Sequence, residues 1–428
     1  MFLSFLAKTA GYLFSSWLAI TFYVLFYTLY DIRLEGINNF TASEATLITI
    51  NHKRDLDVPI MASTLHVRKT LFSNKHRMHF IAREDILQSG FLTAHFPIFG
   101  FAGPVIHRIN LKPIMIILRA HPISHLIRQR IGPLIRELQL RSPTVFIEEV
   151  FTRKGLSTLK TLLDGQHTDD IEHTTVNGFL GYKFRRLRQQ PIDIRSFKTE
   201  YARSLRKLTL KKVREQIRDI VQILDDGNIC MLAPEGQIST DGRFWPVKSG
   251  LFRLVSMTTG NIKILPVNTT YDFMTDGRRS IYVSIGNELT DIKGLKKVEL
   301  EELVQERIVT LGIVTISQLG SEFLLNMLSS NYARFNEQEF VEAISRRVEE
   351  IKLLNINLDK RLYSIDSIKK RISSFLRYCV NKGILEKESN GRFVINMRQT
   401  NSLISNDFNE YPVQHSDNEL KSLLEFYK

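Results

Sequence analysis

Within Asn51-His52-Lys53-Arg54-Asp55-Leu56-Asp57 a histidine stands five positions before a carboxylate, two residue types suited to moving a proton near neutral pH. In one helix residues five apart point about 140° away from each other. His52 and Asp57 therefore meet only if His52 precedes a helix and Asp57 lies in its first turn. Pro59 suits that placement, because a first-turn proline loses no intrahelical hydrogen bond. Asp55, three residues from His52, is the rival partner. A lone histidine is more often structural, so the weight rests on what stands at the other strand ends. Arg108 follows a Gly-rich approach through Gly100 and Gly103, Glu235 and Gly236 follow the apolar run Ile229 to Ala233, and Pro266 sits in a further run. Polar residues at the carboxyl ends of strands are where open α/β sheets bind ligands.

The elements that must position these residues are legible as short apolar runs. Ala45 to Ile50 is β-branched and apolar and reads as a buried strand delivering His52 into a loop. Met78 to Ala82, Ile229 to Ala233, Ile262 to Thr269 and Ser280 to Ile285 read the same way, and Phe96 to Asn110 reads as Gly/Pro-rich backbone turning into a short strand toward Arg108. A helix is predicted from Phe197 to Leu224, its first half cationic and its end marked by Asp225-Asp226-Gly227. The expected fold class is α/β, an open mixed sheet flanked by helices, with an N-terminal membrane helix and a mostly helical C-terminal domain.

From Thr9 to Tyr30 no residue is charged, a length that fits the ~20 apolar residues a bilayer core needs. No small-residue cleavage site follows before Asp31, which favours an uncleaved anchor over a signal peptide. Trp17, Tyr23, Tyr27 and Tyr30 also permit a helix lying in the interface. The net charge of +13 over 428 residues calls for an acidic partner: lipid surface, phosphorylated substrate or nucleic acid. Two cysteines, Cys230 and Cys379, each inside an apolar run, exclude a disulfide framework and read as core thiols in a reducing compartment. Past residue 296 the chain is helix-patterned, then runs helix, turn, strand, Asn390-Gly391 hairpin, strand, a succession similar to a winged helix. His121 and His125 lack the glutamate of a zinc-protease helix, and no metal site is expected. The absence of a phosphate-loop motif argues against a nucleotide hydrolase.

Four segments resemble, in order, the motifs of the glycerolipid acyltransferase family, which includes 1-acylglycerol-3-phosphate and glycerol-3-phosphate acyltransferases. "NHKRDLD" resembles its first block, NH-x4-D; "GPVIHR" the second; "APEGQIS" the third; "ILPV" the fourth; and "VKSG" at Val247 to Gly250 the lysine-glycine element that trails the third. His107 stands where an acidic residue commonly precedes the arginine, and Ala233 where a phenylalanine is common. The resemblance implies a membrane anchor over residues 1–34 and an acyltransferase domain over 35–295, with an insertion at about 111–200. A C-terminal helical region with the winged-helix-like hairpin takes up 296–428. It implies transfer of a fatty acyl group from acyl-CoA or acyl-ACP to 1-acylglycerol 3-phosphate, with no cofactor beyond that co-substrate. The alternatives are glycerol 3-phosphate or another lysophospholipid as acceptor.

Esterifying a hydroxyl from a thioester needs a base to take the hydroxyl proton, and imidazole, with a reference pKa near ~6.5, suits that task. His52 is the expected base and Asp57 its orienting carboxylate, by the logic of a triad. No serine or cysteine nucleophile is required. Arg108, Glu235, Gly236 and Lys248 are the expected substrate-binding residues, with Lys53 and Arg54 as secondary phosphate cations. Membrane lipids are expected partners, with the active site facing the cytoplasm. Against these stands a different class of function, a membrane-tethered binding module with an inactive core. Nucleic acid is not an expected partner, since the hairpin carries Glu386 and Glu388 and no dense cationic stripe.

Overall fold

The computed structural model describes residues 2–42, 44–71, 78–83, 112–124, 128–163, 170–396 and 411–427. The chain divides into two compact bodies, Met1–Met78 with Ile223–Lys428, and His79–Gln222.

The first body begins with helix α1 (Phe2–Leu29), followed by strands β1 (Asp31–Glu35) and β2 (Thr46–Ile50) and helix α2 (Asp57–Leu65). After residue 222 come β7 (Ile229–Leu232), α7 (Gly250–Met257), β8 (Lys263–Asp272) and β9 (Ser280–Ile285). These strands lie side by side in the order β1, β9, β8, β2, β7. β2 is parallel to both neighbours, pairing Thr46 with Ile229 and with Lys263, while β8 and β9 are antiparallel, so the sheet is mixed. β2 is central, and Leu47, Ile48 and Ile50 have no exposure at all. Each such side chain contributes roughly 1.5–3 kcal/mol of burial, which is why an unbroken apolar run specifies a central strand and not an alternating edge. Every strand predicted within the described residues is present, and Phe96 to Asn110, with Arg108, lies outside them. Cys230 and Cys379 are free and buried.

The same body continues with α8 (Lys297–Val309), α9 (Ile316–Ser329), β10 (Arg334–Phe335), α10 (Glu337–Leu353), α11 (Ile365–Asn381), β11 (Leu385–Lys387), β12 (Phe393–Ile395) and α12 (Pro412–Leu424). β12 pairs antiparallel with both β10 and β11, giving three helices and a three-stranded wing in a winged-helix-like order. The wing turns at Gly391, whose φ of +80° is the left-handed conformation that the Asn-Gly pair favours. Asn336 and Ser364 cap α10 and α11 by accepting the backbone N–H of Glu339 and Ser367. Phe335, Phe340, Leu362 and Phe375 form the centre of this core. α9 approaches α11 so closely that a Cβ at Gly320 would fall 2.4 Å from Phe375 Cζ.

The second body contains β3 (Met78–Arg83), which pairs parallel with β4 (Ala120–Ile123), with the short helix α3 (Lys112–Ile117) before β4. β5 (Arg128–Arg130) and β6 (Pro191–Asp193) are antiparallel. Helices α4 (Ile131–Gln139) and α5 (Arg153–Leu162) and the long α6 (Thr199–Asp225) enclose a core that includes Ile135, Leu138, Phe151, Phe179 and Phe197. The stretch from 111 to 200, whose periodicity is weak in sequence, thus has its own hydrophobic centre built from single turns and short helices.

Candidate active site

The central strand ends at Ile50, and the residues beyond it are held by the sheet itself. Asn51, wholly buried, uses its side chain as a strand would use its backbone: Nδ2 donates to the Thr269 carbonyl at 3.0 Å and Oδ1 accepts the Thr269 N–H at 2.7 Å. The chain then turns, and α2 begins at Asp57 with Pro59 in its first turn. His52 therefore lies before the helix and Asp57 at its start.

Asp57 has no exposure, and its two oxygens have distinct tasks. Oδ2 accepts the backbone N–H groups of Lys53 and Arg54, both at 2.7 Å, and lies 3.3 Å from His52 Nδ1. Oδ1 accepts from the Tyr271 hydroxyl on β8. Burial, together with the neighbouring Asp57 carboxylate, holds the Tyr271 hydroxyl well above the usual phenol range, so it stays a neutral donor. A buried carboxylate that accepts this many bonds satisfies the rule that buried charge must be paired. The His52 side chain retains 20% exposure. With Nδ1 turned to Asp57, the free work of the ring falls to Nε2. Asp55 is exposed and bonds neither His52 nor the loop.

The loop after β7 grips the same histidine from behind. Glu235, 1% exposed, accepts the His52 backbone N–H on Oε1 at 2.8 Å and the Trp245 N–H on Oε2 at 2.8 Å. The Ser239 N–H donates to the His52 carbonyl at 2.7 Å. Both ends of the His52 peptide unit are thus fixed by residues of "PEGQIS". Burial pushes the Glu235 carboxyl up to about 7, against the two amide donors and the nearby His52 and Lys53 charges that pull it down. Gly236, at φ +69°, makes the left-handed turn that comes next, and the Lys248 side chain lies over it, its Cγ 3.5 Å from where a Cβ would stand. Lys248 is exposed, and its N–H donates to the Pro234 carbonyl at 2.8 Å.

The two cations inside the first motif are engaged. Lys53 pairs with Glu419 of α12, with side-chain exposures of 9% and 7%. Arg54 lies over Tyr271 and Phe273, 5.2 and 4.7 Å from the ring centroids, as a cation on aromatic faces. No motif marks the helix that supplies Glu419 as part of the site. Its Asn418 donates to the Asp241 carbonyl at 3.0 Å, and Ser422 Oγ accepts the Phe244 N–H at 3.1 Å. Gly242, at φ +87°, leaves no room for a Cβ, which would fall 2.2 Å from the His415 carbonyl oxygen. An unusually polar buried face, with His415, Asp417, Asn418 and Glu419 each below 9% exposure, is the trace this leaves in the chain. In the second body His121 Nε2 lies 2.8 Å from His79 Nδ1, and among the described residues no group of three or more metal-ligating side chains forms.

Residues 177–270 match the family model described as Acyltransferase, a span that takes in Glu235, Gly236, Lys248 and most of β8 but neither His52 nor Arg108. No curated protein matches the chain. Among solved structures the chain is similar to the 1-acyl-sn-glycerophosphate (LPA) acyltransferase PlsC from Thermotoga maritima, at 12% identity over 65% of this chain and 69% of that one, with a TM-score of 0.29. Over residues 177–270 the chain is similar to acyltransferase domains.

Proposed function

We propose that this acyltransferase moves a fatty acyl group from a thioester of coenzyme A or acyl carrier protein to the free hydroxyl of 1-acylglycerol 3-phosphate. The observation that carries the reading is the partly exposed imidazole whose Nδ1 lies 3.3 Å from a wholly buried Asp57 that is itself anchored by three further donors. In this reading His52 Nε2 takes the acceptor's hydroxyl proton as the oxygen attacks the thioester carbonyl. Asp57 keeps the other ring nitrogen protonated and stabilises the imidazolium. Collapse of the tetrahedral intermediate expels the thiolate, which takes the proton back from His52. Glu235 and Ser239 hold the histidine's main chain, and Arg108 and Lys248 remain the proposed phosphate cations. His52→Ala is expected to lower kcat/KM by ~10²- to 10⁴-fold with an unchanged thermal midpoint; wild-type transfer by that variant sinks the mechanism. Comparing lysophosphatidate, glycerol 3-phosphate and other lysolipids as acceptors tests the substrate.

The lipid acceptor is reached, in this reading, by α1 lying in the membrane interface. Thr9–Leu29 is apolar and long enough to cross a bilayer, and only 11% of it is buried. Yet one side is bonded to the catalytic body: Ser16 Oγ to His66 Nε2 at 3.0 Å, Tyr23 Oη to Arg68 Nε at 3.1 Å, and the Tyr30 carbonyl to Arg278 at 2.7 Å. Away from these bonds the helix exposes Leu13, Trp17, Ile20 and Val24 at helical spacing, with Leu29 exposed at its end. A helix docked along its length and apolar on its outer side suits one leaflet. A tag before Met1 and a tag after Lys428 are expected to be digested from the same side of sealed vesicles; protection of one alone indicates a span.

A further inference from the structure

We propose that the turn joining α10 to α11 is a second lipid-contact surface, through which Leu353, Leu354, Tyr363 and Ile365 enter the headgroup region of an anionic bilayer. These side chains are 84%, 46%, 56% and 66% exposed. Single exposed apolar residues are ordinary; four within thirteen residues, one of them an aromatic with a polar tip, make a patch of the kind found at membrane interfaces. They are one patch in space as well as in sequence, since Lys352 Nζ at the end of α10 lies 5.2 Å from the Tyr363 ring centroid.

The turn is built to present them. Between the exposed positions, Ile356, Leu358 and Leu362 are buried, and Asp359, 1% exposed, accepts the Arg361 N–H at 3.1 Å and its guanidinium at 2.9 Å. A turn pinned by three core side chains and a buried ion pair does not hide its outer residues by rearranging. Lys360, Lys369 and Lys370 are exposed around it, and Lys369 and Lys370 have no carboxylate partner among the described residues. Glu35, Glu349, Glu350 and Asp366 are the nearby exposed acids, of which Glu35 pairs with Lys360 and Glu350 with Arg347. The net charge of +13 adds a general attraction to an acidic surface.

What commits the patch to a bilayer is its attachment. Arg361 Nη1 lies 3.5 Å from Asp31 Oδ2 and Lys360 Nζ 2.6 Å from Glu35 Oε1, so the turn lies along β1. β1 starts two residues after Leu29, where the exposed apolar face of α1 ends, and five strand residues span roughly 16 Å. The patch therefore continues the surface on which α1 is read to lie, and the proposal rests on that reading.

Both native cysteines are buried, so a cysteine introduced at an exposed site can be labelled alone. Full-length Tyr363→Cys and Leu25→Cys, each carrying a polarity-sensitive dye, are mixed with phosphatidylcholine vesicles containing phosphatidylglycerol. A blue shift at both positions is expected. Tyr363→Ser combined with Ile365→Ser is expected to partition about tenfold less onto the same vesicles, with unchanged circular dichroism and unchanged transfer to detergent-dispersed acceptor. A shift at position 25 with none at 363, or unaltered partitioning of the double variant, overturns this proposal and leaves the reading of α1 standing. Silence at both positions overturns the two together.

Discussion

Asp57 carries more of the site than a hydrogen-bond partner of His52 would need to. One oxygen collects two backbone N–H groups and the imidazole, the other a tyrosine hydroxyl, and the carboxylate is sealed from water. Glu235 works differently, because it uses both oxygens on main-chain donors and is held at about 7 by burial. Its folded-state pKa is raised, so the folded protein binds the extra proton more readily than the unfolded chain. The associated stability is present below the usual carboxylate pKa of ~4.3 and is lost as pH rises through about 7. Glu235→Gln removes that slope, and its amide group confronts one of the two N–H donors, at a cost of about 1–3 kcal/mol. Thermal midpoints between pH 5 and 8 are expected to fall with pH in the wild type and to fall less in the variant; parallel curves count against this account.

At the scale of elements, helix α12 ties the end of the chain to the catalytic loops. Its Glu419 neutralises Lys53, one residue from His52, while Asn418 and Ser422 hold the 241–244 loop whose far end Glu235 grips at Trp245. Removing one member of a buried pair leaves the other charge uncompensated, a cost of about 3–5 kcal/mol. Glu419→Ala is therefore expected to lower the thermal midpoint by several degrees and to reduce acyl transfer, although the residue lies more than 360 positions from the histidine. Glu419→Ala with Lys53→Met, which removes both charges, is expected to recover most of the stability. If the double variant is no better than the single, charge is not what joins the helix to the loop. In and beside the neighbouring element two cations face inward: Arg371 of α11 is bonded to buried Asp272, and Arg361, just before the helix, to Asp359. Part of the basic character of the winged-helix-like unit is thus turned inward, onto Asp272 of β8 and onto Asp359.

For the whole molecule, charge and apolar surface act together. A net +13 draws the protein toward acidic surfaces over a Debye length of about 8 Å in physiological salt. With α1 in the interface, as proposed above, retention would rest instead on exposed apolar side chains such as Leu13, Trp17 and Val24, whose transfer from water salt does not weaken. Washing isolated membranes with 1 M salt, where the Debye length is about 3 Å, is expected to leave most of the protein bound, whereas detergent releases it. Release by salt alone would make the attachment electrostatic.

The strands, the order of the motifs, the apolar first helix and the Asn390-Gly391 turn are all open to reading in the sequence, because each depends on local periodicity or on a residue's own conformational preference. His52 and Asp57 are legible as a pair for the same reason: a five-residue spacing admits one arrangement around a helix start. The choice between Asp57 and Asp55 is not, since it depends on Tyr271 arriving from β8, more than 200 residues on. Nor is Glu235's grip on the His52 backbone, or the presence of α12 beside Lys53, because no local pattern records which distant oxygen fills a buried donor's need. Residue type and spacing determined the chemistry available to this chain. Only the tertiary structure decided which groups are buried, which are paired, and which imidazole nitrogen faces Asp57, because burial and pairing are set by neighbours that the sheet and the C-terminal helix bring from far along the chain.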